Sequence, residues 1–327
     1  MKFRSGRPKF SENFGIDLKS MNTKIKMVGV GGSGGNTVSR MKKCNIEGVE
    51  LIAMNTDTQD LKKTRADLKL RIGRKITQGL GTGMNPEIGK EAALENKEEI
   101  QEILKGADMV FITGGEGGGT FTGAAPVVAE ISKNLGILTI GICTLPFSFE
   151  GNYRRKIAIS GKGKLRERVD ALIVIENDKL LINLNPKISL VNAFWLCDEI
   201  LREAVRGISD LILHPGLINI DFADVKAVLR NSGTALFGIG RARGKNRAEN
   251  AVKAVLTSPL LDISPKGAKG ILFNVSGGKD ISLSEIEEIG KILTQEINPE
   301  AKIMFGAIQD EKLREGELKV TVIATGF

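Results

Sequence analysis

From Lys24 onward the chain alternates short, almost wholly apolar runs with longer stretches of helical period. The runs 25–30, 49–54, 109–113, 137–143 and 171–175 lack the in-out alternation of a half-exposed strand, so they suit parallel strands buried on both faces. Between them, 34–43, 86–104 and 124–135 carry helical patterns, the second of them rich in Glu, Lys and Ala. Strand–helix–strand alternation of this kind predicts a Rossmann-like, doubly wound α/β sheet with its ligands at the carboxyl ends of the strands.

Residues 189–213 break the alternation. Leu190, Phe194, Cys197, Leu201, Val205, Ile208 and Ile212 recur at helical spacing, Ser189 stands where a cap belongs, and His214-Pro215-Gly216 supplies a stop. The spacing predicts a helix of about seven turns, apolar on more than one side and packed between two domains. Beyond it, helical patterns at 248–256 and 284–297 alternate with strand-like runs at 236–239, 271–275, 303–308 and 318–324. These predict a second, smaller α/β domain with a mixed sheet. Residues 1–20 show no period and read as a mobile extension. The expected organisation is an extension (1–20), a nucleotide-binding domain (21–188), a central connecting helix (189–213) and a C-terminal domain (214–327).

Composition narrows the chemistry. The 327 residues are 41% hydrophobic and 26% charged, enough for a packed, soluble two-domain protein. No apolar run approaches the ~20 residues of a membrane span, and the first residues lack the apolar core of a secretory signal. Three cysteines without CxxC spacing argue against a disulfide framework or a zinc site and fit a reducing, cytoplasmic setting. A single histidine, His214, excludes multi-histidine metal centres. The net charge of +8 is uneven, with 17 Lys/Arg against 7 Asp/Glu in residues 1–75 and 30 against 32 beyond. A basic first part permits contact with polyanions. No nucleic-acid motif accompanies it, and one Trp and one Tyr leave little for base stacking.

Two glycine runs carry candidate chemistry. Gly29-Val30-Gly31-Gly32-Ser33-Gly34-Gly35-Asn36 follows the first strand, opens a helix and satisfies GxGxxG, with Asp57 after the next strand where a ribose-binding acid would sit. Alone it leaves a nicotinamide-dependent dehydrogenase and a purely structural turn both open. Gly114-Gly115-Glu116-Gly117-Gly118-Gly119-Thr120-Phe121-Thr122-Gly123 repeats the strand-to-helix placement after the 109–113 run. A second phosphate cradle is superfluous for a dehydrogenase and suits a nucleoside triphosphate held from two sides. No GxxxxGK[ST] is present, so this is not a P-loop protein.

The second run resembles the GGGTGTG signature of the tubulin/FtsZ superfamily of GTPases, and the chain from about Lys24 to Phe327 resembles its FtsZ family of prokaryotic cell division. Asn55-Thr56-Asp57-Thr58-Gln59, Gly79-Leu80-Gly81-Thr82-Gly83-Met84-Asn85-Pro86-Glu87, Pro146-Phe147-Ser148-Phe149-Glu150-Gly151-Asn152-Tyr153-Arg154, Gly216-Leu217-Ile218-Asn219-Ile220-Asp221-Phe222-Ala223-Asp224-Val225-Lys226 and Ser258-Pro259-Leu260-Leu261 match further family motifs in order. The resemblance implies GTP/GDP binding, with Mg²⁺ on the phosphates rather than on protein side chains and a monovalent cation as a further expectation. It implies that Gly31, Gly32, Gly117, Gly118, Gly119 and Thr120 hold phosphates and that Thr82 and Gly83 approach the γ-phosphate. Glu150 and Arg154 would contact the ribose, and Asn36, Asn177, Phe194 and Asp198 the base. Ser33, Asn55, Asp57 and Thr122 complete the nucleotide set. A carboxylate such as Asp198 accepts from the adjacent N1–H and N2–H₂ donors of guanine, a pair that adenine lacks. Asn219, Asp221 and Asp224, which alone read as a helix cap with surface acids, would polarise the attacking water on the nucleotide of the next subunit in a head-to-tail filament.

The same resemblance implies division-ring partners and a place at the division site. Family members usually continue past the last strand into a linker and a peptide for membrane anchors, and this sequence contains no such tail. It also departs from the signature in the nucleotide loops. Phe121 replaces a glycine, Glu116 a usual methionine and Met84 a small residue. Phe121 is strained if its φ is positive and otherwise packs on its helix. Glu116 repels phosphate if it faces the pocket, or else meets solvent or a cation. These departures leave a second reading, a nucleotide-binding filament scaffold with impaired hydrolysis.

Overall fold

A computed structural model describes residues 23–327 except 45, 182–187, 214–215, 259–266, 296 and 311–312. The N-terminal extension, the His214-Pro215 stop and most of the 258–261 motif therefore lie outside the described residues. In chain order the elements are β1 (Ile25–Val30), α1 (Gly31–Lys43), β2 (Val49–Asn55), α2 (Thr58–Lys63), β3 (Leu68–Arg71), α3 (Pro86–Glu95), α4 (Lys97–Leu104), β4 (Met109–Gly115), α5 (Thr120–Asn134), β5 (Leu138–Leu145), α6 (Asn152–Arg166), β6 (Ala171–Glu176) and α7 (Asn177–Leu181). They continue with α8 (Leu190–Leu213), α9 (Phe222–Leu229), β7 (Gly233–Arg243), α10 (Arg247–Leu256), β8 (Gly270–Gly277), α11 (Leu283–Gln295), β9 (Lys302–Gln309) and β10 (Glu317–Thr325).

The strands form one sheet in the order β3-β2-β1-β4-β5-β6-β7-β10-β8-β9. From β3 to β6 every pairing is parallel, as expected of strands buried on both faces. β7 joins β6 through Ala171–Gly233 to Ile173–Ala235, so the sheet runs unbroken into the second half. There β10 is antiparallel to both β7 and β8, while β9 is parallel to β8, which makes the expected mixed sheet. Successive strand residues bury on opposite faces. Met27, Leu51 and Phe111 pack under α1 and α8, whereas Val28, Ile52 and Ile112 pack under α3, α4 and α5. A third core lies between the second half of the sheet and α10 and α11. Among the described residues no helix is long and apolar enough to cross a membrane.

α8 shares one core with both halves. Its Cys197, Leu201, Val205 and Ile208 pack with Met27 and Phe111 on one side and with Phe237, Leu272 and Ile323 on the other. The Ser189 hydroxyl accepts the Asn192 N–H, so the cap read from the sequence is present.

Three helices differ from the sequence pattern. The stretch 86–104 is two helices, because Asn96 leaves helical geometry to accept the Gly73 N–H (2.8 Å) and to donate to Glu99 (2.7 Å). α1 and α5 begin three and four residues earlier than their apolar periods, with glycines and Thr120 supplying the first turns. Their small residues permit close packing. A Cβ added at Gly123 of α5 would lie 1.9 Å from the Pro86 carbonyl oxygen of α3, and one at Gly89 of α3 would lie 2.2 Å from the Gly119 oxygen. Gly123→Ala must therefore push α3 away from α5 or distort one of them. We expect a loss of about 1–3 kcal/mol, read as a lowered thermal midpoint; an unchanged midpoint would mean that the two helices do not need this approach.

Candidate active site

The order of the sheet reverses between β1 and β4, which is where an open α/β sheet leaves a crevice outside its carboxyl ends. Both glycine runs sit there. Gly29 and Gly34 serve packing: a Cβ at Gly29 would lie 2.3 Å from the Gly34 oxygen, and one at Gly34 2.6 Å from the Thr113 oxygen. Gly31, with φ +72°, turns the chain into α1, and a Cβ there would lie 3.4 Å from Thr120 Cβ at the start of α5. Two helix N-termini thus aim their free N–H groups at one space. Gly118 and Gly83 border space that is open around their Cα atoms. Thr120 Oγ1 shares hydrogen bonds with Thr56 Oγ1 (2.7 Å) and Thr82 Oγ1 (3.4 Å), so three hydroxyls converge beside the turn.

Several candidates are committed to the scaffold. The Gly117 N–H donates to Thr122 Oγ1 (3.0 Å), so Thr122 shapes the turn from behind. Asp57 caps α2, accepting the Gln59 and Asp60 N–H groups. Asn55 donates to Asp60 Oδ2 (3.0 Å), and that carboxylate would lie 2.9 Å from a Cβ at Gly32. Ser33 is half-buried in α1 and Asn36 is exposed on it.

The loop departures resolve in different ways. Phe121 has no positive φ and is only 3% exposed, with its ring in the core beneath the turn. Gly114 makes the room, since a Cβ there would lie 2.2 Å from the ring. Met84 does carry a left-handed φ of 63°, a strained conformation for its side chain. Glu116 faces neither phosphate, solvent nor a cation, against the expectation above. It turns inward, is 2% exposed, and neither carboxyl oxygen has a hydrogen-bond partner. Burial raises its pKa from 4.5 to about 8, with the neighbouring Thr122 hydroxyl opposing.

At the other end of the crevice α8 presents Phe194 and Asp198. Asp198 Oδ1 accepts from Thr37 Oγ1 (3.2 Å) and Oδ2 from Arg40 Nε (2.8 Å). Burial pushes this carboxyl up, with Arg40 opposing. A carboxylate has about four lone-pair positions, so two remain for a ligand. Phe194 stands edge-on to Phe147 at 5.3 Å, and Phe147 stacks on Phe149. Glu150 accepts the Phe147 N–H (2.8 Å) and pairs with Arg154 (3.0 Å). Two buried polar atoms here lack partners, Asn177 Oδ1 and Arg154 Nε. Thr37, Arg40, Thr56 and Asp60 were missed in the sequence because only the fold brings them to Asp198, Thr120 and Gly32.

Asn219, Asp221 and Asp224 are not brought to this crevice. The 24 residues of α8 extend ~36 Å, and Leu213 at its end touches Gly48, just before the amino end of β2. The acid loop therefore sits at the opposite edge of the sheet from the glycine turns. It is held there by the Ile218–Ala307 bridge to β9 and by the Gly216 N–H donating to Asn219 Oδ1 (2.5 Å). Asp221 occupies the cap position of α9, yet its side chain makes no capping hydrogen bond.

The sign of the Glu116 effect on stability follows from its two pKa values. Between 4.5 and about 8 the folded protein keeps a proton that the unfolded chain has released, so stability falls as pH rises through that window. Glu116→Met removes this loss. In paired denaturation curves the variant gains on the unmodified protein as pH rises, by on the order of 2–4 kcal/mol near pH 8; a gap independent of pH would mean that the carboxyl is not buried neutral.

Residues 24–185 match the Tubulin/FtsZ family GTPase domain and residues 233–327 the FtsZ family C-terminal domain. The chain is similar to an FtsZ from M. jannaschii solved as an empty dimer, with 48% identity, 94% of this chain and 90% of that one covered, and a TM-score of 0.90. A mutant of the M. jannaschii FtsZ gives 48% identity, 94% and 92% coverage and the same TM-score of 0.90. CetZ2 from Haloferax volcanii, solved as a GTPγS-bound protofilament, shares the fold at 24% identity, 92% coverage of both chains and a TM-score of 0.77. With both domains matched and nearly half of the aligned residues identical to a solved FtsZ, the chain belongs to the FtsZ family, the filament-forming, GTP-hydrolysing proteins of cell division.

Proposed function

We propose that GTP lies in the crevice between β1 and β4 and is hydrolysed only where a second copy of the chain closes it. The separation of the glycine turns from the acid loop, at opposite edges of one sheet, carries this reading. A head-to-tail contact brings Asn219, Asp221 and Asp224 of one copy to the phosphates of the next, and such a contact repeats without closing. The M. jannaschii relative, solved as a dimer, is consistent with self-association.

Within the crevice, Gly31, Gly32, Gly118 and Gly119 offer backbone N–H groups to the phosphates. Thr120 and Thr82 offer hydroxyls, and Gly83 leaves room at the γ end. Asn177 Oδ1 and Arg154 Nε, orphaned without a ligand, fit a ribose and base that would satisfy them. Glu150 aligns Arg154, and Phe194 with Asp198 reads guanine. Mg²⁺ and any monovalent cation would be held on the phosphate oxygens. Bound there, Mg²⁺ supplies charge neutralisation for the transferring phosphoryl group. Asp221 and Asp224 orient the water and receive its proton, and Asn219 keeps the loop in shape. In the cell this activity belongs to the division site. The scaffold reading loses its ground, because neither Phe121 nor Glu116 points its side chain into the phosphate space.

Phosphate release measured across protein concentrations should stay near zero below a threshold and climb above it. Asp224→Asn should bind GTP but release phosphate about a hundredfold more slowly. A rate strictly proportional to concentration would sink the shared site. Asp198→Asn turns an acceptor into a donor. We expect GDP affinity to fall about ten- to a hundredfold and xanthosine diphosphate, which has an acceptor in place of the guanine amine, to gain; unchanged base preference in a competition assay would remove Asp198 from base recognition.

A further inference from the structure

Glu116 directly precedes the turn Gly117–Thr120, and its surroundings fix its side chain on the inner side of that turn. The Glu116 N–H donates to the Thr144 oxygen (2.9 Å), which ties its backbone to the end of β5. Above the carboxyl lies Gly161 of α6, where a Cβ would come within 2.3 Å of Oε2. Thr122 of α5 flanks the same space; its hydroxyl oxygen accepts the Gly117 N–H, and its proton remains available to favour the carboxylate against burial. The titratable and charged groups around it are few. β5 contributes the buried Cys143 thiol, which is itself pushed up by burial and by Glu116. α6 contributes Lys162, close enough to act on that thiol, and Arg154, which lies against the far side of Gly117 and pairs with Glu150. None of them makes an ion pair or hydrogen bond with Glu116.

We propose that Glu116 is a positioning residue whose proton is coupled to nucleotide binding: with the carboxyl neutral the phosphate turn keeps its shape, and ionisation weakens its hold on a polyphosphate. This rests on the assignment of Gly118 and Gly119 to the phosphates. An uncharged carboxyl can remain in this enclosed pocket, whereas a carboxylate must draw in water or move, and with its backbone fixed on Thr144 and Gly161 closing the space above, it does so against Thr122, whose hydroxyl holds the Gly117 N–H of the turn. The new charge also lies directly beneath the turn that carries Gly118 and Gly119, and it opposes a polyphosphate held there. The burial that raises the group to about 8 places the change within reach of ordinary buffers. Linkage makes the coupling reciprocal. Bound nucleotide raises the affinity of Glu116 for its proton by the same factor by which the proton strengthens nucleotide binding.

The test is binding of a fluorescent N-methylanthraniloyl GDP by anisotropy between about pH 6.5 and pH 9, with the unmodified protein, Glu116→Gln and Glu116→Met. GDP removes turnover from the readout, and any titration of the nucleotide itself is common to all three proteins. The unmodified protein should bind about fivefold more weakly at about pH 9, on the way to the roughly tenfold limit set by a one-unit difference in pKa between free and bound states. Both variants should be flat once the shared nucleotide titration is subtracted. The infrared carbonyl band of a protonated carboxylic acid gives a nucleotide-free readout; it should fade over the same range and be absent from Glu116→Gln. Equal pH profiles in all three proteins would overturn the coupling and leave the phosphate assignment standing. Failure of the unmodified protein to bind GDP at any pH would instead overturn the phosphate assignment on which the coupling rests.

Discussion

The length and burial of α8 constrain everything else in this molecule. It begins beside the crevice, where Phe194 meets Phe147 and Asp198 meets Thr37 and Arg40 of α1, and ends at Leu213 against Gly48 on the opposite edge of the sheet. Because its apolar residues share one core with both halves, it cannot tilt independently of either. A helix fixed in this way measures off the distance between the start of the binding site and the acid loop that follows it. That distance exceeds the reach of any side chain, so in the proposed mechanism the loop serves a neighbouring copy. The proposed dependence of hydrolysis on assembly is thus a matter of helix length before it is a matter of chemistry.

Much of this was legible in the sequence because buried parallel strands and a capped, two-sided helix leave strong patterns. The runs beginning at Ile25, Val49 and Met109 became strands with their ends moved by at most two residues. The Ser189 cap was equally clear. What failed was local. Asn96 breaks a helix by bonding Gly73, more than twenty residues away, and no periodicity reports such a partner. The helical patterns at 34–43 and 124–135 begin after the true first turns of α1 and α5, because the conformational freedom of glycine is visible in a sequence and its packing partners are not. At the site, residues on one helix face, such as Phe194 and Asp198, could be paired from spacing. Thr37 and Arg40 could not, since only the docking of α1 on α8 sets them against Asp198.

The departures in the phosphate loop illustrate how a missing Cβ absorbs a large neighbour. Gly114 gives up its side-chain volume to the Phe121 ring, and Gly161 does the same for the Glu116 carboxyl. The two exchanges differ in energy although they are alike in shape. A ring in an apolar core gains from burial. A carboxyl without hydrogen-bond partners loses solvation, and it limits the loss by keeping its proton. The loop thus holds one apolar anchor and one ionisable one on the inner side of the same turn.

The polar flank of α8 completes the picture of a helix held in register. Arg202 pairs with Glu199 and Glu203, and Arg206 with Asp210 and Asp310. Arg241 of β7 reaches Glu203 from the sheet. Lys319 of β10 lies buried beside them, its ammonium pushed below the usual range mainly by burial, with Glu203 opposing. Ion pairs of this kind add little net stability once desolvation is counted, but a buried charge shifted off its partner is costly. Apolar packing alone would let α8 slide along the second half of the sheet with modest loss, because one aliphatic contact substitutes for another. The charged flank removes that freedom. It fixes the height of the acid loop relative to the crevice, and the spacing on which the proposed two-copy site rests is held by charge as well as by length.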